Sequence, residues 1–358
     1  MRKIILVVLI LVLLIPCVYA EDSTGINTQP AEQEIPEEAL DVMPEIGAED
    51  AADLWGNVKE LLFRALGQSG DSLKASLRLC AILLALVLLC SAAELPPGKK
   101  AGNAVTVVGA LGISTVFIGT ANTMISLAVG TVENVSNYSA MMLPVLASAS
   151  AMSGGMASSS ALYAGTVLFS QILMQLITKL LIPMLYFFLA VCTAEAALAS
   201  DLLTELRELI GWLISKSLRI LVYIFLGFLS ITGVIAGAAD AAAIRATKAT
   251  ISGMVPVVGG IISDASETLL ASASILKSSI GVFGMIVILA ICIVPFFRIG
   301  IPYLLLKVTS AISGTVALKP HVGLLKNFSS AMGYLLAMCG TCCFLLMISC
   351  VCFVRVVG

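Results

Sequence analysis

The sequence predicts an all-α fold, a polytopic transmembrane helical bundle of about seven to nine spans with a short exported N-terminal arm. Three observations carry that expectation. Of 358 residues, 59% are hydrophobic and 12% are charged, where soluble domains run near about 45–50% and about 25%. That little charge cannot cover the surface of a soluble globule, and the mean hydropathy of +1.06 agrees. Apolar runs close to the length of a bilayer's hydrocarbon core then recur from residue 77 to the C-terminus.

Residues 1–20 read as a secretory signal. Arg2 and Lys3 form a basic start, Ile4 to Ile15 a short apolar core, and Val18-Tyr19-Ala20 offers small residues at the cleavage positions before Glu21. A first helix retained as an anchor is the rival reading. Pro16 ahead of Cys17 argues against a lipoprotein signal. Residues 21–53 hold eleven acids, no Lys or Arg, and the helix breakers Pro30, Pro36 and Pro44. Such a segment buries too little apolar surface to offset its chain entropy, so it is expected to be a disordered, acidic, non-cytoplasmic arm.

From residue 54 to 76 the pattern turns amphipathic. Val58, Leu61, Leu62 and Ala65 recur at helical spacing against Lys59, Glu60 and Arg64. Residues 200–215 repeat the pattern with Leu202, Leu206, Leu209 and Leu213. The chain's two tryptophans, Trp55 and Trp212, fall in these two segments, which points to helices anchored at the headgroup boundary. Packing of both amphipathic faces on the protein itself is the plainer alternative. Spans are expected at 77–93, 104–130, 162–178, 180–199, 218–239, 281–297, 301–318 and 330–354. The junction at Lys179 is too short for a comfortable turn, so its two runs could form one kinked unit.

Two further stretches are apolar enough to enter a membrane but rich in helix-weakening residues. Residues 141–160 hold Pro144, Ser153, Gly154 and Gly155; residues 251–274 hold Gly253, Pro256 and Gly259. Non-helical backbone at membrane depth is tolerated where protein or water satisfies it, and paired interruptions mark substrate sites in many transporters. These residues are therefore candidates for a re-entrant or pathway segment, with close helix packing by small residues as the competing use. Charges in or beside apolar runs are the other candidates, because an unpaired charge in lipid costs several kcal/mol. They are Glu195, Asp240, Arg245, Lys248 and Asp264, with Arg245 and Lys248 on one helix face.

Several function classes find no support. There is no basic block for nucleic acid, and net charge is −2. One histidine, His321, leaves little for general-base or triad chemistry. No phosphate loop, metalloprotease motif or cofactor signature is present. The ten cysteines lie within apolar runs, and Cys339, Cys342 and Cys343 lack a second pair or a nearby His to complete a metal set. Neither catalysis, metal nor cofactor is expected.

The stretch Ala238-Ala-Asp-Ala-Ala-Ala-Ile-Arg-Ala-Thr-Lys248, with Gly253-Met-Val-Pro-Val-Val-Gly259, Ser263-Asp-Ala-Ser-Glu267, Lys277 and Gly281, resembles the stage III sporulation protein AE family. So does Leu143-Pro-Val-Leu followed by Ala151-Met-Ser-Gly-Gly155. The resemblance implies a sporulation role in the mother-cell membrane around the forespore. It also implies partners among the other membrane proteins of the stage III complex, which forms a channel or feeding-tube apparatus between the two cells. Homo-oligomers are compatible with it, and it supplies no catalytic residues. Two uses of the chain stay open on that basis, a transport-like core or an assembly scaffold, beside an ordinary solute permease.

Overall fold

The computed structural model describes residues 36–40, 54–93, 99–198, 201–254, 259–315 and 319–355, and among them every regular element is a helix. In chain order these are α1 (Glu37–Leu40), α2 (Leu54–Gln68), α3 (Gly70–Ala93), α4 (Lys99–Met152), α5 (Met156–Leu176), a π-helical turn (Ile177–Leu181), α6 (Ile182–Leu198), α7 (Asp201–Met254), α8 (Gly259–Ser313) and α9 (Lys319–Arg355). The signal segment and most of the acidic arm lie outside the described residues.

The amphipathic helix is present but ends earlier than its sequence pattern predicts. Leu61 and Ala65, one turn apart, are fully buried, and α2 packs mainly on α8. Ser69 closes it, its hydroxyl donating to the Ala65 carbonyl at 2.7 Å, and Gly70 opens α3. Asp71 then sits in the first turn of α3, where the helix dipole favours a carboxylate.

Among the described residues, six helical runs are long and apolar enough to cross a bilayer: Gly70–Ala93, Ala104–Met152, Met156–Leu198, Leu202–Ala246, Ala273–Ser313 and Lys319–Arg355. Eight runs were expected; two pairs have merged. Runs 162–178 and 180–198 form one unit through the π turn that carries Lys179, the one-unit alternative that the short junction leaves open. Run 281–297 and the described helical part of run 301–318, up to Ser313, are continuous within α8, which absorbs Pro295 and Pro302 two turns apart on one side. Residues 200–215 are likewise not a separate interfacial helix but the start of α7. At about 1.5 Å per residue the 54-residue α4 and α7 are about 80 Å long, well beyond the roughly 30 Å of hydrocarbon. Parts of both therefore extend past the apolar slab.

Several hydroxyls inside these helices are satisfied locally. Thr115, Thr131, Thr178, Thr193, Thr309 and Ser349 each donate to the carbonyl four residues earlier at 2.7–3.0 Å, which removes most of the cost of carrying them into an apolar setting. The centre of the bundle is α9, which packs against α4, α5, α6, α7 and α8. Its Leu335, Met338, Cys339, Cys342, Leu345 and Leu346 are buried. Rings lock it to its neighbours: Phe328 stacks on Phe117 of α4 with centroids 4.0 Å apart, and Tyr334 meets Phe188 of α6 edge-on at 5.4 Å. Glycines allow close approach, among them Gly165 against the Phe228 ring and Gly211 against the Tyr334 hydroxyl. The cysteines of α3 to α9 are free thiols, most of them buried as packing residues. Among the described residues no three His, Cys, Asp or Glu side chains gather as a metal set.

Candidate functional site

The Ser-Gly-Gly break is a tight turn between two antiparallel helices. α4 ends at Met152, Gly154 takes φ 96°, and α5 begins at Met156. That φ lies in the left-handed region, which costs a side-chain-bearing residue and suits glycine. Ser153 and Gly155 are buried here, and the turn folds on its own backbone: the Ser153 hydroxyl donates to the Ser150 carbonyl at 2.8 Å and the Gly155 N–H to the same carbonyl at 3.1 Å. Pro144, by contrast, stands on the exposed side of α4.

A helix N-terminus presents N–H groups without intrahelical acceptors, and α5 has no side-chain cap of its own. Asp240 of α7 supplies one from across the bundle. Its Oδ1 accepts the Ala157 N–H and its Oδ2 the Ser158 N–H, both at 2.9 Å. Asp240 is 3% exposed, so the carboxylate is withdrawn from solvent and held by two charge-assisted bonds at the positive end of a helix. Beside it, the Ser158 hydroxyl is buried without a hydrogen-bond partner among the described residues. The Ser150 hydroxyl reaches the Phe353 carbonyl of α9 at 3.3 Å, so this end of the bundle joins α4, α5, α7 and α9.

Glu195 is a second candidate charge with a built environment. At the end of α6 its carboxylate accepts Arg207 Nε at 2.7 Å, the Thr204 hydroxyl at 2.9 Å and the Asn327 amide at 3.4 Å. Both members of the ion pair are about one-fifth exposed. This cluster pins α6 to the start of α7 and to α9, at the end of the bundle opposite Asp240. Sequence reasoning picked out Glu195 as a candidate but not Arg207, Thr204 or Asn327; a Glu and an Arg twelve positions apart on two helices carry no periodic signal.

Among the remaining candidates, Arg245 is exposed on α7, and Gly253 and Gly259 belong to the end of α7 and the start of α8. Pro256 and the side chains of Trp55, Lys248 and Asp264 lie outside the described residues. Trp212 is 56% exposed, with Lys216 Nζ 5.9 Å from its ring. Lys277, quoted for its place in the family motif, is fully buried in α8.

Long apolar helices around a buried central helix define a polytopic α-helical membrane protein, with a helix turn and a cross-bundle carboxylate as its most specific local feature. The sequence profile of stage III sporulation protein AE matches residues 37–356, and the chain belongs to that family. A stage III sporulation protein AE of Bacillus subtilis (strain 168) is 24% identical over 214 residues, which cover 60% of this chain and 53% of that relative. The alignment thus spans about half of the relative's length. No solved structure matches. The two motifs that carried the resemblance meet in space: Asp240, from Ala238 to Lys248, caps the helix that follows Ser153-Gly154-Gly155.

Proposed function

We propose that this protein is a membrane component of the sporulation apparatus linking mother cell and forespore, acting in a transport-like role during late forespore development. Its place would be the mother-cell membrane around the forespore, its N-terminal arm exported by a cleaved signal peptide, and its partners the other membrane proteins of the stage III complex. Membership of a stage III sporulation family supports the process, and six long apolar helices support the membrane setting. The observation that carries the reading furthest is the coupling of two distant motifs through a buried carboxylate. A carboxylate that holds one helix hairpin against another helix gives the bundle a joint at which packing could change. A scaffold without a conducting path is favoured by a different fact, the burial of Ser153 and Gly155 within packed protein.

The direct experiment is deletion in the native host, scored for arrest after engulfment. Normal spores would remove the sporulation role and leave the membrane fold untouched. Complementation by chains truncated before the acidic arm would test whether export of that segment matters.

A further inference from the structure

Contacts between helices sort the ends of α4 to α9 into two groups. At the turn end, Asp240 of α7 accepts from Ala157 of α5, Ser150 of α4 donates to Phe353 of α9, and Gly281 of α8 lies against Leu146 and Val354. At the other end, Glu195 gathers α6, α7 and α9, and Gly109 of α4 lies against Cys90 of α3 and His321 of α9. The α6–α7 and α8–α9 connections belong to this second end, and α3 runs toward it. Basic residues are divided unevenly between the two. Of the fourteen Lys and Arg from residue 99 onward, four stand at the turn end: Arg245, Lys248, Lys277 and Arg355. The other ten lie beyond a charge-free stretch, toward the Glu195 end.

The first basic residues beyond that stretch share a level. Residues 220–239 of α7, between Arg219 and Asp240, contain no charge, and neither do residues 278–297 of α8, between Lys277 and Arg298. Each run rises about 30 Å, one hydrocarbon thickness. The same rise along α5, counted from Ala157, leads to Lys179 in the π turn. Three elements thus carry a cation one hydrocarbon thickness from the turn end. Lys179 and Arg219 are exposed there, and Arg298 is partly so. Lys216 and Lys307 follow a few turns further along α7 and α8, each beside an aromatic ring: Trp212 at 5.9 Å and Tyr303 at 5.5 Å. Cations on aromatic rings are what the headgroup layer favours. Glu133 of α4 stands against them at this level as an exposed acid.

From this level we infer that Lys179, Lys216, Arg219, Arg298 and Lys307 form a basic girdle seated on anionic phospholipid of the cytoplasmic leaflet. Charge complementarity argues for that lipid, since each cation near a membrane surface favours an anionic headgroup about fivefold. The leaflet follows from the uneven division of Lys and Arg, whose excess marks the cytoplasmic flanks of spans. The Glu195 end then faces the cytoplasm. The Ser-Gly-Gly turn, Asp240 and the α7–α8 connection face the non-cytoplasmic side, so the two family motifs meet there. A helix α3 that runs toward the cytoplasmic end agrees with the exported arm proposed above. The inference goes beyond the transport-like reading without resting on it, because a conducting path and a scaffold would share this orientation.

Orientation is read on the full chain in the cytoplasmic membrane of intact cells. Met156, exposed beside the turn, and Thr315, exposed between α8 and α9, are each replaced by cysteine and treated with a membrane-impermeant maleimide. Labelling is counted above that of the unsubstituted chain. Met156→Cys is expected to label in intact cells, and Thr315→Cys only once the membrane is permeabilised; any other pattern overturns the orientation. Lipid choice is read on the purified full chain in vesicles. Tyr223, exposed one turn to the bilayer side of Arg219, becomes the sole tryptophan through Tyr223→Trp with Trp55→Phe and Trp212→Phe. Brominated phosphatidylglycerol is expected to occupy the sites that quench it about fivefold more than brominated phosphatidylcholine does. Adding Lys216→Gln and Arg219→Gln should bring that ratio toward one while quenching by the phosphatidylcholine analogue persists, which separates lost lipid choice from a fold defect. Equal occupancy before those two substitutions, or a preference that survives them, overturns the anionic-lipid girdle.

Discussion

Replacing Asp240 with alanine removes both acceptors of the first turn of α5 while leaving its covalent chain intact. In the native bundle the carboxylate takes two N–H groups at 2.9 Å and is 3% exposed, so solvent cannot easily replace it. A charge-assisted hydrogen bond contributes about 1.5–3 kcal/mol, and loss of a helix cap costs about 0.5–2 kcal/mol. Partial relaxation of the turn offsets some of the two-bond sum, which leaves about 3 kcal/mol of local stability. At about 1.4 kcal/mol per tenfold, that is roughly a hundredfold change in the opening equilibrium. Hydrogen exchange of the purified chain in detergent, followed on peptides that contain Ala157 and Ser158, is the assay. Asp240→Ala should exchange there roughly a hundredfold faster, with the opposite end around Glu195 unchanged. Asp240→Asn should fall between, because one amide oxygen still accepts while its NH2 faces a donor. Exchange in Asp240→Ala within about threefold of the parent chain, set against the hundredfold expected from the bond energies, would refute the capping role.

Further expectations follow from other contacts. Gly165→Ala drives a methyl into the Phe228 ring, an overpacking cost of about 1–3 kcal/mol that should lower the Tm in detergent and be partly recovered by adding Phe228→Leu. Gly154→Ala must hold φ 96° at a cost of about 1–2 kcal/mol; Gly154→Asn should lose visibly less in the same thermal assay, and equal losses would point away from backbone strain. A double-mutant cycle on Glu195→Gln and Arg207→Ala should give a coupling of about 1–3 kcal/mol, since the pair is four-fifths buried and hydrogen-bonded. A coupling near zero would mean that Thr204 and Asn327 hold the carboxylate without the guanidinium.

Much of the fold was legible because lipid imposes a simple pattern. Charge-free runs of bilayer length must be helices, since no other single-segment structure satisfies its own backbone there. The residues around Lys179 show the limit of that reading. Two apolar runs separated by one lysine look like two spans, yet a π turn lets a single helix carry the lysine on its exposed side. The expected separation of runs 281–297 and 301–318 failed for a related reason: Pro295 and Pro302 each remove one helical hydrogen bond, yet α8, packed on α9, runs through both. For the candidate site, the break at Ser153 to Gly155 could be read from its composition. The partner of that break could not, because Asp240 stands more than eighty positions away.

The sequence by itself determined that this is a helical membrane protein of a sporulation family, with glycine where its backbone turns back and isolated charges at the margins of its apolar runs. Only the tertiary structure decided what those charges do. Glu195 is held by an arginine, a threonine and an asparagine from two other helices, and Asp240 closes the end of a helix it is not part of. The reason is physical: hydrophobicity and helix periodicity are local and additive along the chain, whereas a carboxylate's partner depends on which helix ends packing brings within 3 Å.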